Sequence, residues 1–347
     1  MSAGILPSML HPLILSNNKS RLRKDQNLCF VNSTLQVLYS IDDFRLFFLS
    51  VEAPFPASLP VCREIAKLFR SKGEYEVSAS ELRRIVGLTS QKSYLANGGQ
   101  HDAEEFLRTL IEQLMVELPA GHNFLPLLQS FWGEERNIRK FLDTPDGKCP
   151  RCMTYPGSSE EPFFTMKVKV LDFNCKFTLS SLVDRYYAEN TDKVDMKCSN
   201  CCPHPSNCPL TGICRLRPAV GQTVITRSPD YLIVQLQRFT GHNSPKIQTI
   251  VVPEDRLILP NYKQYDLKSS LDHMGNSCHS GHYVSNIQTD GYWILCNDSR
   301  LSNVDESCVK TQDNYLYVYK KFTETVETCP HSQLARNRSP AICTSWL

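Results

Sequence analysis

The sequence has no excess of either charge. Thirty-eight Lys and Arg stand against 36 Asp and Glu, a formal net charge of +2 over 347 residues. A dedicated nucleic-acid binder carries a broad basic face; this balance excludes one, and no nucleic-acid partner is expected. Long apolar runs are also missing. No stretch approaches the roughly 18 uninterrupted apolar residues of a membrane-spanning helix, so no membrane partner is expected. Residues 1–18 hold no Lys or Arg and are broken by Pro7, His11 and Pro12, which does not read as a secretory leader. Internal repeats and low-complexity segments are absent. What is present is ordinary globular material, 41% hydrophobic and 21% charged, in a chain long enough for a sizeable core in one large domain or two average ones.

Fifteen cysteines depart from that ordinary composition. An odd number in a large chain without a leader does not describe a disulfide framework. Several fall in C-x-x-C pairs, the pattern of metal ligation in a reducing compartment, and a cytoplasmic or nuclear location is expected. Cys149-Pro150-Arg151-Cys152 and Cys198-Ser199-Asn200-Cys201 are two such knuckles, separated by 45 residues. Each suits two thiolates on one tetrahedral ion, and four thiolates close a structural zinc site. The separation is wider than in a short zinc ribbon, and four unligated surface cysteines are the competing description. Cys202 could replace Cys201, and Cys208, Cys214 and His204 lie in the insert that follows.

Hydrophobic periodicity divides the chain. From about Asn32 to Leu118 the pattern is helical: Leu35, Leu38 and Tyr39 recur at i, i+3, i+4, and Phe106, Leu107, Leu110, Ile111 and Leu114 form a broad stripe. From about Gln129 to Val220 the chain carries cysteines and alternates, as in Phe164 to Val170, the pattern of strands with one face covered. From Tyr231 onward the strands are more apolar, at 231–236, 291–295 and 315–319. Helices, then a cysteine-bearing β insert, then an antiparallel sheet make an α+β layout. Residues 1–19 and 322–347 read as tails around one unit over 20–321.

Cys29 immediately precedes the helical run. A thiol at a helix N-terminus feels the positive end of the macrodipole, which lowers its pKa, and the unpaired N–H groups there can bind an oxyanion. An isolated Cys is more often a small buried hydrophobe. Far along the chain stands Ser280-Gly281-His282-Tyr283-Val284, followed by Trp293 and then Asn297-Asp298-Ser299. A Cys, a distant His and an Asn or Asp beyond it are the elements of a thiolate–imidazolium pair with an orienting third group.

Cys29-Phe30-Val31-Asn32-Ser33-Thr34-Leu35-Gln36 resembles the Cys box of the ubiquitin-specific proteases, deubiquitinases with a papain-like core. Gly281-His282-Tyr283 through Asn297-Asp298-Ser299 resembles their His box. Between them, Gln100-His101-Asp102-Ala103-Glu104-Glu105-Phe106-Leu107, the strand from Pro229 to Phe239 and the closing strand from Tyr315 to Tyr319 match in order, so the resemblance runs from about Arg21 to Lys321. It implies a helical thumb (about 20–128), zinc-bearing β fingers (about 129–220) and an antiparallel β palm (about 221–321). It implies Cys29 as nucleophile, His282 as general base and acid, and Asn297 as third member, with Asp298 assisting or substituting. One structural zinc ion on Cys149, Cys152, Cys198 and Cys201 would cap the fingers. Asp102 would meet a basic residue of the ubiquitin tail, which ends Leu-Arg-Gly-Gly. On residue type alone, Asp102 also suits any helix start, Glu104 and Glu105 read as a solvated face, and Tyr283 as a cleft-wall residue.

The match frays just before Cys29. The family reads Gly-Leu-x-Asn-Leu-Gly-Asn-Thr-Cys, and of Arg21 to Cys29 only Leu22, Asn27 and Cys29 hold. Lys24 stands where the family has the Asn that serves the oxyanion hole, so Lys24 and Asn27 are the oxyanion candidates. The activity implied is thiol-dependent hydrolysis of the isopeptide bond after the C-terminal glycine of ubiquitin, by a monomer whose partners are ubiquitin and ubiquitinated proteins. Two alternatives stay open: a ubiquitin-binding pseudoenzyme of low turnover, which Lys24 favours, and a protease of another ubiquitin-like modifier.

Overall fold

The computed structural model describes residues 11–17, 27–51, 54–172, 175–188, 193–202, 215–239, 244–277, 280–289 and 291–323. Its first half is helical: α1 (Cys29–Ser40), α2 (Asp42–Ser50), α3 (Pro60–Phe69), α4 (Ser80–Thr89), α5 (Ala103–Glu117) and α6 (Leu125–Gln129). Every residue of α1 from Cys29 to Tyr39 is buried, so this helix is covered on all sides and lies inside the molecule rather than on it. No helix among the described residues is long and apolar enough to cross a membrane.

The strands and one further helix follow as β1 (Gly133–Phe141), β2 (Gly157–Phe163), β3 (Thr165–Lys169), β4 (Phe177–Thr178), α7 (Leu179–Tyr187), β5 (Val194–Met196), β6 (Arg217–Arg227), β7 (Tyr231–Gln237), β8 (Val251–Val252), β9 (Arg256–Ile258), β10 (Gln264–Ser277), β11 (Ser280–Thr289), β12 (Tyr292–Asn297), β13 (Arg300–Val304) and β14 (Asn314–Lys321). A four-stranded sheet, in the order β2-β1-β6-β5, makes the fingers. The palm is the larger sheet, in the order β13-β12-β11-β10-β14-β7-β3 with β9 on β10. It is antiparallel except at one edge, where β3 runs parallel to β7. The helical thumb, β fingers and largely antiparallel palm match the α+β layout read from the sequence.

Two local expectations need correction. Part of the supposed first tail belongs to the core: Leu13 and Leu15 are fully buried, the Gln36 side chain brackets the backbone of Leu13, and Leu15 bridges to Val77. Two apolar side chains in alternation are too short a signal to mark a strand, but they fill the floor beneath α1. The cysteine-bearing insert also contains a helix. In α7, Leu179, Leu182, Val183 and Tyr187 are buried and Thr178 caps the start by accepting from the N–H of Ser181. That i, i+3, i+4, i+8 spacing is a helical face packed against the palm. Of the second supposed tail, only residues 322–323 are among those described.

Candidate active site

The site lies where α1 meets the palm. Cys29 is the first residue of α1, and its thiol is held by backbone hydrogen bonds from Tyr283, Phe30 and Cys29 itself. The expectation of a lowered pKa does not hold. Burial dominates, the charge of Asp298 adds to it, and together they push the thiol above its ordinary value despite the three backbone donors. The dipole at the helix start is the weaker effect, because taking a thiolate out of water disfavours its charge outright.

Tyr283, whose backbone touches Cys29, follows His282 on β11. The His282 ring is half-buried and its Nε2 lies 2.7 Å from Asn297 Oδ1. An amide oxygen only accepts, so Nε2–H donates to it and the base of a neutral imidazole is Nδ1. The position of Asn297 follows from local sequence. Asn297 ends β12 opposite Arg300 of β13, so Asp298 and Ser299 form a two-residue hairpin turn. Asp298 takes the left-handed conformation there (φ 52°), which an Asp tolerates. This turns the Asp298 carboxylate back under the site, 3.8 Å from His282 Nε2. Its oxygens are better engaged elsewhere: Oδ1 accepts from Asn32 Nδ2 at 2.8 Å and Oδ2 from Asn17 Nδ2 at 2.9 Å. Asn297, not Asp298, is therefore the direct partner of His282.

Behind His282 the packing allows only glycine at 281. A Cβ there would lie 2.7 Å from the carbonyl oxygen of Met274 and run into the His273 ring. Gln100 brackets the same residue, donating from Nε2 to Gly281 O at 2.7 Å and accepting from Gly281 N at 3.2 Å. The segment before α5 thus fastens the thumb to the strand that carries His282.

Asp102, two residues on, caps α5. Its Oδ1 accepts from the N–H groups of Glu104 and Glu105 at 2.8 and 3.1 Å, and its Oδ2 accepts from the Tyr315 hydroxyl. Burial raises its pKa while these donors oppose the rise. The structure thus gives Asp102 a helix-start role. Glu104 is not on a solvated face: it is buried and takes a hydrogen bond from the Thr165 hydroxyl at 2.7 Å. Asn27 is in the left-handed region (φ 61°) and gives its amide to Gly98 O at 2.9 Å, so that donor serves a turn. Lys24 lies outside the described residues. Asn17, Asn32 and Gln100 are the site residues that sequence reasoning did not single out. The two asparagines reach Asp298 over 281 and 266 residues of chain, and no local pattern announces such a contact.

At the fingertip the four expected cysteines converge. The sulfurs of Cys149, Cys152, Cys198 and Cys201 all lie within 4.8 Å of one another, with Cys149 to Cys201 at 3.8 Å and Cys152 to Cys198 at 3.6 Å. Zinc–sulfur bonds of about 2.3 Å in a tetrahedron place sulfurs about 3.8 Å apart, so these four fit such an ion. Both knuckles close alike, Met153 N onto Cys149 O and Cys202 N onto Cys198 O, each at 2.8 Å. Cys202 is buried but is not one of the four.

Comparison with known proteins gives the same architecture. The sequence profile of the family described as "Ubiquitin carboxyl-terminal hydrolase" matches residues 21–319. The chain is 25% identical over 313 residues to the probable ubiquitin carboxyl-terminal hydrolase 16 of Schizosaccharomyces pombe, covering 85% of this chain and 65% of that protein. It is 25% identical over 371 residues to ubiquitin carboxyl-terminal hydrolase 21 of Rattus norvegicus, covering 90% of this chain and 63% of that one. The chain therefore spans less than two thirds of the length of these curated relatives. Among solved structures, the SAGA Ubp8/Sgf11/Sus1/Sgf73 DUB module bound to ubiquitin aldehyde superposes with a TM-score of 0.65 at 20% identity, over 92% of this chain and 72% of that one. This likeness speaks for the fold.

Proposed function

Because the chain belongs to the ubiquitin carboxyl-terminal hydrolase family, we propose that it is a thiol hydrolase that cleaves the isopeptide bond after the C-terminal glycine of ubiquitin. The observation that carries this reading is the meeting of Cys29 with the backbone beside His282, whose ring is fixed by Asn297. His282 Nδ1 takes the proton of Cys29 as the sulfur attacks the glycine carbonyl. The resulting imidazolium keeps its Nε2–H on Asn297 and returns the other proton to the leaving lysine amine. Water then hydrolyses the thioester with His282 again as base. A raised thiol pKa suits a sulfur that gives up its proton only as it attacks. The neutral Asn297 orients the ring without adding charge.

The ubiquitin tail reaches this point through the cleft between thumb and palm. The partners of Asp102 are neutral donors, so its ionised form keeps a charge to offer the basic residue of that tail. One zinc ion on Cys149, Cys152, Cys198 and Cys201 holds the fingertip and takes no part in the chemistry. Incubation with ubiquitin bearing a C-terminal thiol-reactive group tests the reading: the adduct is expected to map to Cys29 and to vanish in Cys29→Ala. Labelling that persists in Cys29→Ala, or that favours another ubiquitin-like protein, would overturn it.

A further inference from the structure

The fingertip carries a cavity that the proposed chemistry leaves unused. It has a volume of about 220 Å³, is floored by Phe141 and Pro150 beside the knuckle cysteines, and is rimmed by Arg151, Arg215 and Arg217. Small-molecule sites span roughly 300–1,000 Å³, so this one has room for a single side chain rather than a metabolite. Phe141 is buried, and the Arg217 guanidinium lies over its ring at 5.5 Å and reaches Asp143 at 3.5 Å. Arg151 and Arg215 are exposed, and among the described residues neither has an ion-pair partner.

Charge and apolar surface are concentrated around the same cavity. Residues 139–152, 193–202 and 215–217, at the end of the fingers, hold eight Lys and Arg against three Asp, a net charge of +5 where the whole chain has +2. Four thiolates on one divalent ion carry a formal charge of about −2, so offsetting that cluster accounts for only part of the excess. Met153 is 62% exposed, Leu216 61% and Leu142 45%. Leu216 stands between two of the rim arginines. Met153 closes the first knuckle in the left-handed conformation (φ 57°), which glycine adopts without strain and Met does not. Arg and Met among exposed apolar groups are what protein contact surfaces are enriched in.

We propose that the fingertip is a docking site for an acidic segment of another protein. One apolar side chain of that segment enters the cavity, and flanking carboxylates pair with Arg151 and Arg215. A guanidinium takes a carboxylate through two parallel hydrogen bonds, which gives direction as well as attraction. Nucleic acid fits this surface less well. Its bases need an open aromatic face, and the ring of Phe141 is already covered. A second copy of the chain would set one basic fingertip against another unless it met a different face. Docking at the fingertip does not require that the chain be a hydrolase.

The test selects binders from a displayed library of random peptides on the full chain with its metal site filled. The selected peptides are then labelled and measured by fluorescence anisotropy. They are expected to carry several Asp or Glu around one aromatic or aliphatic residue. Arg151→Glu combined with Arg215→Glu should weaken binding by about tenfold or more, and Leu216→Ser by a smaller factor. Raising NaCl from about 50 to about 300 mM should also weaken it. Arg151→Ala combined with Arg215→Ala provides a milder pair should charge reversal disturb the knuckles, and metal content and the urea midpoint report whether it has. Selected peptides that are basic or uncharged, or acidic ones that bind the metal-filled alanine pair as tightly as the unmodified chain, would overturn the proposal. Displacement of the peptides by free ubiquitin or by single-stranded DNA would give the surface to those ligands instead, and displacement by dimerisation of the chain would give it to a second copy. A library that yields no binder sensitive to the arginines would overturn it as well.

Discussion

The seam between thumb and palm and the tip of the fingers are built on different physical principles. At the seam one continuous core runs from Leu13 and Leu15 through α1 and α5 to Leu271, Tyr315 and Val318 of the palm. Among the described residues the buried cluster of the fingertip is Phe141, Cys149, Cys198 and Ala219, and β2 is exposed from Ser158 to Pro162. Apolar burial contributes about 25 cal/mol per Å², and the first region has far more of it than the second. A sheet that cannot bury its end needs a cross-link, and four thiolates placed for one ion would supply it. Cys29, His282 and Asn297 therefore sit in a part of the molecule held by packing, while the fingertip offers four cysteines for a ligand.

Removing that ligand is the strongest way to break the comparison. Structural zinc contributes on the order of 10 kcal/mol to isolated zinc modules. Chelation, or Cys198→Ser, should therefore open the fingers and leave the seam closed. Hydrogen exchange read by mass spectrometry should show protection lost over residues 133–163 and 194–227 and kept over α1, α5 and β10 to β14. Uniform loss across the chain, or no loss anywhere, would contradict this division.

Adding one methyl group probes the opposite region. In Gly281→Ala the new Cβ meets the carbonyl oxygen of Met274 and the His273 ring. Neither can retreat without moving β10 or β11, and such overpacking costs about 2–3 kcal/mol. Because Gly281 precedes His282, kcat should fall by about 10²-fold for a shift of the ring near 1 Å. In the fingers, Gly157→Ala meets only Arg139 Cγ and Met196 Cε at 3.4 Å, an ordinary contact, and should change stability by less than about 0.5 kcal/mol. Urea midpoints of the two variants check the contrast; equal midpoints would refute it.

What could be read from the sequence follows the same division between local and distant contacts. The pairing of His282 with Asn297 is legible because a hairpin joins them, and the two knuckles are legible because C-x-x-C is itself a local geometry. Helices α1 and α5 declare themselves by their stripes. The burial of Leu13 and Leu15, the clasp of Gln100 on Gly281 and the hold of Asn17 and Asn32 on Asp298 are not legible, since each depends on a partner far along the chain. The thiol pKa departs from its sequence expectation for the same reason: the helix start is local, but the burial that overrides it is tertiary.

Acid should move the two regions in opposite directions. Asp272 is fully enclosed, and burial raises its pKa to about 6 although Asn314, Asn286 and Ser270 donate to it. A carboxyl whose folded pKa exceeds its unfolded value of about 4 binds its proton more tightly when folded. Its contribution is therefore favourable at low pH and lost as the pH rises from about 4 to about 6, with an upper limit near 3 kcal/mol. Asp272→Asn removes that penalty. Its new amide can meet Asn286 Oδ1, which is buried without a partner, once Asn286 turns over. The variant should gain about 1–2 kcal/mol at pH 7.5 and nothing at pH 4. In the fingers acid only harms, because protons compete with the metal for thiolates. Urea midpoints at the two pH values decide it, and a variant less stable than the parent at pH 7.5 would overturn the account of Asp272.

The finest contrast is between two thiols. Cys29 is buried at the seam, and its pKa is raised mainly by loss of water. Cys152 is half-buried at the fingertip, where the hydroxyl of Thr154 and then the thiols of Cys201 and Cys198 pull it down to about 6. Alkylation requires the thiolate, so its rate follows the ionised fraction and the access of the reagent. Access favours Cys152 once the metal is stripped, because the opened fingers expose it while Cys29 stays buried. Iodoacetamide at pH 7 should therefore modify Cys152 before Cys29, although Cys29 is the residue placed for catalysis. The rate at Cys29 should keep climbing about tenfold per pH unit through the ordinary thiol range, because its ionised fraction is still rising. Peptide mapping over a pH series reads both rates in one sample. A plateau for Cys29 below pH 7 would mean that His282 holds it as a preformed thiolate, and that the helix start, not burial, governs the nucleophile.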